Sequence, residues 1–179
     1  MNRPRLLIVR GLPGSGKSTY VRNNYPGLFT LETDCFNCVG GQYYWTPDRS
    51  KEAIKLIEDI VISVIHSPNT PDFSICGVFA EFKSFYDYIN IAVVFGYDVY
   101  IKTLNTQYEN IHNVPKEAIE IFKSKFITDK HIKCLLQEHF KENDLKHVYF
   151  DDMPHINWIF NKDDNPSKPM TEKEQLDVY

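Results

Sequence analysis

The chain has 179 residues, enough for one domain with a single sizeable core, and its 42% apolar and 25% charged residues are the balance of a globular protein. Its 24 Asp and Glu outnumber 20 Lys and Arg for a formal net charge of −4, so no global basic field draws it to nucleic acid and any such contact must use a local patch. Arg3, Arg5 and Arg10 flank an apolar run too short for a signal peptide or a membrane span, which points to a cytoplasmic protein with no membrane partner.

In chain order, a first strand is expected over Leu6–Val9. It runs at once into Gly11-Leu12-Pro13-Gly14-Ser15-Gly16-Lys17-Ser18, a complete G-x-x-x-x-G-K-[ST] loop, and Ser18-Thr19-Tyr20-Val21-Arg22 then opens a helix. That strand–loop–helix context gives the motif its meaning. The glycines let the backbone curl until successive N–H groups face the phosphates of a nucleoside triphosphate, and the helix dipole favours the same anion. Lys17 is placed to reach the β and γ phosphates, and the Ser18 hydroxyl to ligate Mg²⁺. Gly11 through Thr19 are therefore read as the nucleotide-binding residues.

A second strand, Leu28–Leu31, leads into Glu32-Thr33-Asp34-Cys35-Phe36. At that strand end the Asp34 carboxylate can accept the proton of a hydroxyl acceptor or help hold Mg²⁺; the plain alternative is a loop or capping aspartate. A long helix is expected from Ser50 to His66, with Ile57, Ile60, Val61, Val64 and Ile65 on one face, stopped by Pro68 and Pro71. Strand Phe73–Val78 follows, then a helix from Glu81 to Phe95 striped by Phe82, Phe85, Tyr86, Ile89 and Val93 and ended by Gly96. Strand Val99–Leu104, helices Pro115–Phe126 and Asp129–Phe140, and strand His147–Phe150 complete the alternation. Such alternation predicts an α/β fold, a mostly parallel five-stranded sheet with helices on both faces and its site outside the carboxyl ends of the strands. Residues 1–160 are read as one domain and 161–179, polar and carrying Pro166 and Pro169, as a flexible tail.

Cys35, Cys38, Cys76 and Cys134 make no disulfide framework, and the one C-x-x-C lacks the second pair that zinc would need. The six histidines show no metal-binding spacing.

Arg10-Gly-Leu-Pro-Gly-Ser-Gly-Lys-Ser-Thr19, Thr33-Asp34-x-Phe36 and Gly41-x-Tyr43-x-Trp45 resemble the polynucleotide-kinase-like P-loop ATPases. Gly96-Tyr97-Asp98-Val99 and Asn110-Ile-His112-Asn-Val114-Pro115 continue the likeness, which spans residues 5–127. The resemblance implies the three-layer P-loop NTPase fold, ATP as phosphoryl donor with Mg²⁺, and a 5′-hydroxyl nucleic-acid end or a nucleoside-like molecule as acceptor. It also implies that Lys17 and Ser18 serve the phosphates and the metal, and that Asp34 is the general base.

Two departures stand out. Where the family closes its third strand with Asp-Thr-Asn, this chain has Cys76-Gly77-Val78-Phe79, with Glu81 as a substitute acid slightly later. Where the family carries a lid arginine, this chain has Glu109, and no arginine follows Arg49. Lys116, Lys123, Lys125 and Lys130 remain for that lid, or form a solvated face; a lysine neutralises phosphate without the forked geometry of arginine. Two functions stay open: a phosphotransferase, slow unless a protein partner supplies the missing positive charge in trans, and an NTP-binding regulatory or interaction module that has lost catalysis.

Overall fold

The computed structural model describes residues 3–33, 36, 38–39, 42–43, 46–69, 71–106, 114 and 116–154. Its strands are β1 (Arg5–Arg10), β2 (Phe29–Glu32), β3 (Cys38–Val39), β4 (Gln42–Tyr43), β5 (Phe73–Gly77), β6 (Asp98–Thr103) and β7 (Val148–Tyr149). Five of them form one parallel sheet in the order β2-β5-β1-β6-β7, while β3 and β4 pair antiparallel as a small ribbon apart. Its helices are α1 (Lys17–Asn24), α2 (Pro47–Ile65), α3 (Tyr86–Val94), α4 (Lys116–Lys125), α5 (Asp129–His139) and α6 (Glu142–Leu145). The α/β architecture expected from the alternation is the one observed.

Central position explains the composition of β1. A parallel strand covered on both faces reads as a continuous apolar run, and Leu6, Leu7, Ile8 and Val9 are all fully buried. Successive side chains point to opposite faces. Leu6 and Ile8 therefore join the larger core, with Ile57 and Val61 of α2, Ile89 of α3 and Ile132 of α5. Leu7 and Val9 join a smaller core with Val21 and Tyr25, near the end of α1. Helices thus cover both faces.

The α2 helix starts at Thr46, whose hydroxyl accepts from the Arg49 N–H at 3.2 Å, and Pro47 supplies a φ already suited to a first turn. Ala53, Ile57, Val61 and Ile65 are its buried stripe. The helix expected over Glu81–Phe95 is interrupted. A 3-10 turn covers Phe82–Ser84, Phe85 leaves helical geometry at φ −140 and ψ 0, and α3 begins only at Tyr86. The cause is packing: the fully buried Phe85 ring meets Phe79 at 5.8 Å and Phe82 at 5.7 Å between centroids.

Residues 151–154 return across the α1 face as a strap. Asp152 Oδ1 accepts from the Tyr20 hydroxyl at 2.5 Å and pairs with Lys102 Nζ at 2.6 Å. The Tyr25 hydroxyl donates to Met153 O at 2.9 Å, and Arg5 donates to Pro154 O at 3.0 Å. Burial, with the Asp152 bond behind it, pushes the Tyr20 phenol well above its ordinary range, so it stays a donor.

At the other end of β1, Arg10 is fully buried. Its Nε donates to Phe79 O at 3.2 Å, its Nη2 to Ile127 O at 2.9 Å, and its Nη1 lies 3.5 Å from Asp129 Oδ1. The Phe126 ring lies 4.1 Å from the guanidinium carbon, within cation–π range. Burial lowers the Arg10 guanidinium to about 10, against the pull of Asp129, so it remains cationic at neutral pH. Replacing it by Met keeps the bulk and leaves the buried Phe79 carbonyl and the part-buried Ile127 carbonyl without this donor. Arg10→Met should therefore lower the free energy of unfolding in urea by about 1–3 kcal/mol, chiefly through the buried Phe79 carbonyl. A loss below about 0.5 kcal/mol would mean that both find other donors.

Candidate functional site

The loop that follows Arg10 is held from both sides. Leu104 N donates to Arg10 O at 2.8 Å, the Thr106 hydroxyl to Ser15 O at 2.8 Å, and Ser15 N closes a turn on Leu12 O at 3.0 Å. Gly14 and Gly16 have φ of 79 and 83, left-handed positions that glycine occupies without strain. At Gly11 the constraint is space, because a Cβ would collide with Ser15 Oγ and stand 2.8 Å from Leu104 O. Helix α1 begins at Lys17 with no side-chain cap, leaving its first-turn N–H groups to an anion. Ser15 Oγ is buried and has no hydrogen-bond partner among the described residues.

Two side chains of the motif are already engaged. Lys17 Nζ folds back to donate to Gly11 O at 3.0 Å and Leu12 O at 3.1 Å. The Ser18 hydroxyl donates to Glu32 Oε2 at 2.8 Å. Glu32 ends β2, opposite Cys76 of β5, and the next residue continues the pairing as Thr33 N donates to Cys76 O at 3.1 Å. The sequence pointed to Asp34 at this strand end; the pairing of β2 with β5 brings Glu32 to the loop hydroxyl. The donors that meet are oxygens, a hydroxyl and a carboxylate. That set fits a hard cation such as Mg²⁺, which takes one or two carboxylates and completes its shell with phosphates and water.

Asp34 lies outside the described residues, as do Cys35, Gly41, Trp45, Glu109, Asn110, His112, Pro115 and everything after Pro154. The remaining candidates separate. Beyond β5, Phe79 has φ 43, and a Cβ at Gly77 would come within 2.8 Å of its ring, so an apolar side chain folds back over this strand end. Glu81 lies between Lys83 at 3.4 Å and Lys125 at 3.6 Å. Lys123 pairs with Glu120 at 2.7 Å. Arg49, which the sequence could not locate, donates to Phe36 O at 3.4 Å, beside the segment that leaves β2. Among the described residues, no helix is long and apolar enough to cross a membrane.

No family model matches the sequence. Over 128 residues the chain is 27% identical to an uncharacterized protein of Pasteurella multocida (strain Pm70), covering 64% of this chain and 72% of that one. In structure it is similar to a chain of the Pnkp1/Rnl/Hen1 RNA repair complex, with a TM-score of 0.55 and 22% identity over 79% of this chain. It spans 47% of that larger chain. A candidate kinase from Chloroflexus aurantiacus j-10-fl matches over its whole length and 78% of this chain, with a TM-score of 0.51 and 14% identity. At such identities the likeness is one of fold. The chain has the α/β fold of the P-loop kinases.

Proposed function

We propose that this protein is a P-loop phosphotransferase that carries the γ-phosphoryl group of ATP to a hydroxyl acceptor. By resemblance that acceptor is a 5′-hydroxyl nucleic-acid end or a nucleoside or nucleotide; the net charge of −4 favours the smaller molecule, which needs no extended basic track. The observation that carries the reading is the loop itself: left-handed glycines, a Lys17 ammonium folded over it, and the uncapped N-terminus of α1 directly behind. The Ser15 hydroxyl, without a partner among the described residues, adds a donor.

In the proposed reaction the acceptor oxygen bonds to the γ phosphorus, the bond from that phosphorus to the β–γ bridging oxygen breaks, and ADP departs. Asp34 takes the acceptor proton. Lys17, exchanging its loop carbonyls for phosphate oxygens, and the α1 N–H groups stabilise the charge on the phosphates. Ser18 and Asp34 would hold Mg²⁺, which when bound would supply positive charge against the triphosphate. Glu109 in place of a lid arginine makes this kinase slow, or leaves a protein partner to supply positive charge in trans.

A second reading has its own observation. Phe79 folded over the end of β5 gives that position to packing, as an NTP-binding module that has lost catalysis would. Incubation with γ-labelled ATP and a panel of 5′-hydroxyl oligonucleotides, nucleosides and nucleotides separates the two: label moves to one acceptor class, or to none.

Two substitutions test the residue roles. Lys17→Ala should weaken ATP binding by about tenfold or more in calorimetry while the fold persists, since phosphate contacts by ionised groups are worth roughly twice neutral ones. Equal affinity in mutant and parent would remove the loop assignment. Asp34→Asn should lower turnover by about 10²-fold or more with nearly unchanged ATP affinity. Parental turnover in that variant would exclude Asp34 as base.

A further inference from the structure

In P-loop proteins the hydroxyl after the loop lysine shares Mg²⁺ with an acid at a neighbouring strand end. Here the strand between β1 and β2 is β5, and it closes with Cys76 and Gly77 before Val78 and Phe79, none of them acidic. The Cys76 side chain faces α1, because it packs with Leu7, Val9 and Val21. Glu32 stands opposite it in register, one strand further out. Residues in register on parallel neighbours share a face, so Glu32 also points toward α1, and its carboxylate accepts from Ser18 Oγ at 2.8 Å. Neighbouring strands lie about 4.8 Å apart, a gap that the reach of a glutamate spans.

We infer that Glu32 is the positioning carboxylate of the metal–nucleotide site, in the place that the end of β5 leaves without an acid. The inference rests on the phosphotransferase reading of the loop. Its chemistry follows from the hydroxyl. Serine carries one proton and two lone pairs. When Glu32 accepts that proton's hydrogen bond, the lone pairs of Ser18 are left to face the cation, and a negative charge stands close to it. The same bond would exist if Glu32 merely tied α1 to β2. Only the metal role makes the Glu32 effect conditional on Mg²⁺.

Calorimetric titration with the β,γ-imido analogue of ATP, in Mg²⁺ and in EDTA, distinguishes them. The variants are Glu32→Gln, which keeps the shape, Ser18→Ala, and the double substitution. Glu32→Gln should lose about 10–100-fold of affinity in Mg²⁺, the usual effect of removing a group that orients a metal ligand, and none in EDTA. The double variant should lose no more than Ser18→Ala alone, because the two residues act as one unit. A Glu32→Gln protein that keeps the parental gain from Mg²⁺ overturns the inference while leaving the loop reading intact. An equal loss in EDTA, or losses that simply add in the double variant, overturns it as well. If the parent binds the analogue under neither condition, the loop reading fails and this inference falls with it.

Discussion

A cation buried at the exit of the central strand sets the shape of the site end of this molecule. Arg10 reaches Phe79 O and Ile127 O, 69 and 117 positions further along the chain, and stands beside Asp129. Guanidinium suits this position because its donors form a rigid planar fork, so one side chain can fix three segments at once. A buried charge is not stabilising in itself, since desolvation opposes its attractions. What it supplies is definition: a buried carbonyl, a part-buried one and a half-exposed carboxylate all meet one geometry. Because Arg10 immediately precedes Gly11, the loop begins from a residue tied to β1 and to two distant segments. The same commitment has a chemical consequence. The arginine nearest the loop in sequence is spent on structure, and none occurs after Arg49.

The ends of β2 and β5 divide the remaining work. At β5 the chain places Cys76, Gly77 and a Phe79 ring that packs toward Phe85 and Tyr88, so this end belongs to the core. At β2 it places Glu32 on the loop hydroxyl. Packing and polar chemistry compete for the same few positions above a parallel sheet, since a carboxylate inside an apolar cluster is costly unless paired. Keeping the acid one strand away from the aromatic cluster satisfies both.

Much of this was legible in the letters, for identifiable reasons. The loop, the strand before it and the alternation of elements are local patterns, and β1, α2 and β6 fall within a few residues of where periodicity puts them. Glu32 was not legible. The apolar run that defines β2 stops at Leu31, so a pattern search ends one residue before the side chain that matters. The break at Phe85 was hidden because a helical stripe of aromatics looks the same whether or not one member turns away to meet Phe79. Arg10 read as a flank of the motif, because its partners are far away in sequence. The ribbon of β3 and β4 and the four-residue α6 are too short to carry any period.

The strap over α1 bears on how the molecule is made. Tyr20 and Tyr25 find their hydroxyl partners at Asp152 and Met153, 132 and 128 residues later. Closing so long a loop is entropically slow, and such contacts form late. On a ribosome the phosphate loop and the start of its helix emerge first, yet the far side of that helix stays unfastened until nearly all of the described chain has followed. A truncated product would carry every residue of the loop motif on a helix still waiting for its last restraint. The outer face of α1 is therefore completed by residues made long after the helix itself, so its packing is settled by the distant segment at Asp152 and Met153 rather than by its own neighbours in the chain.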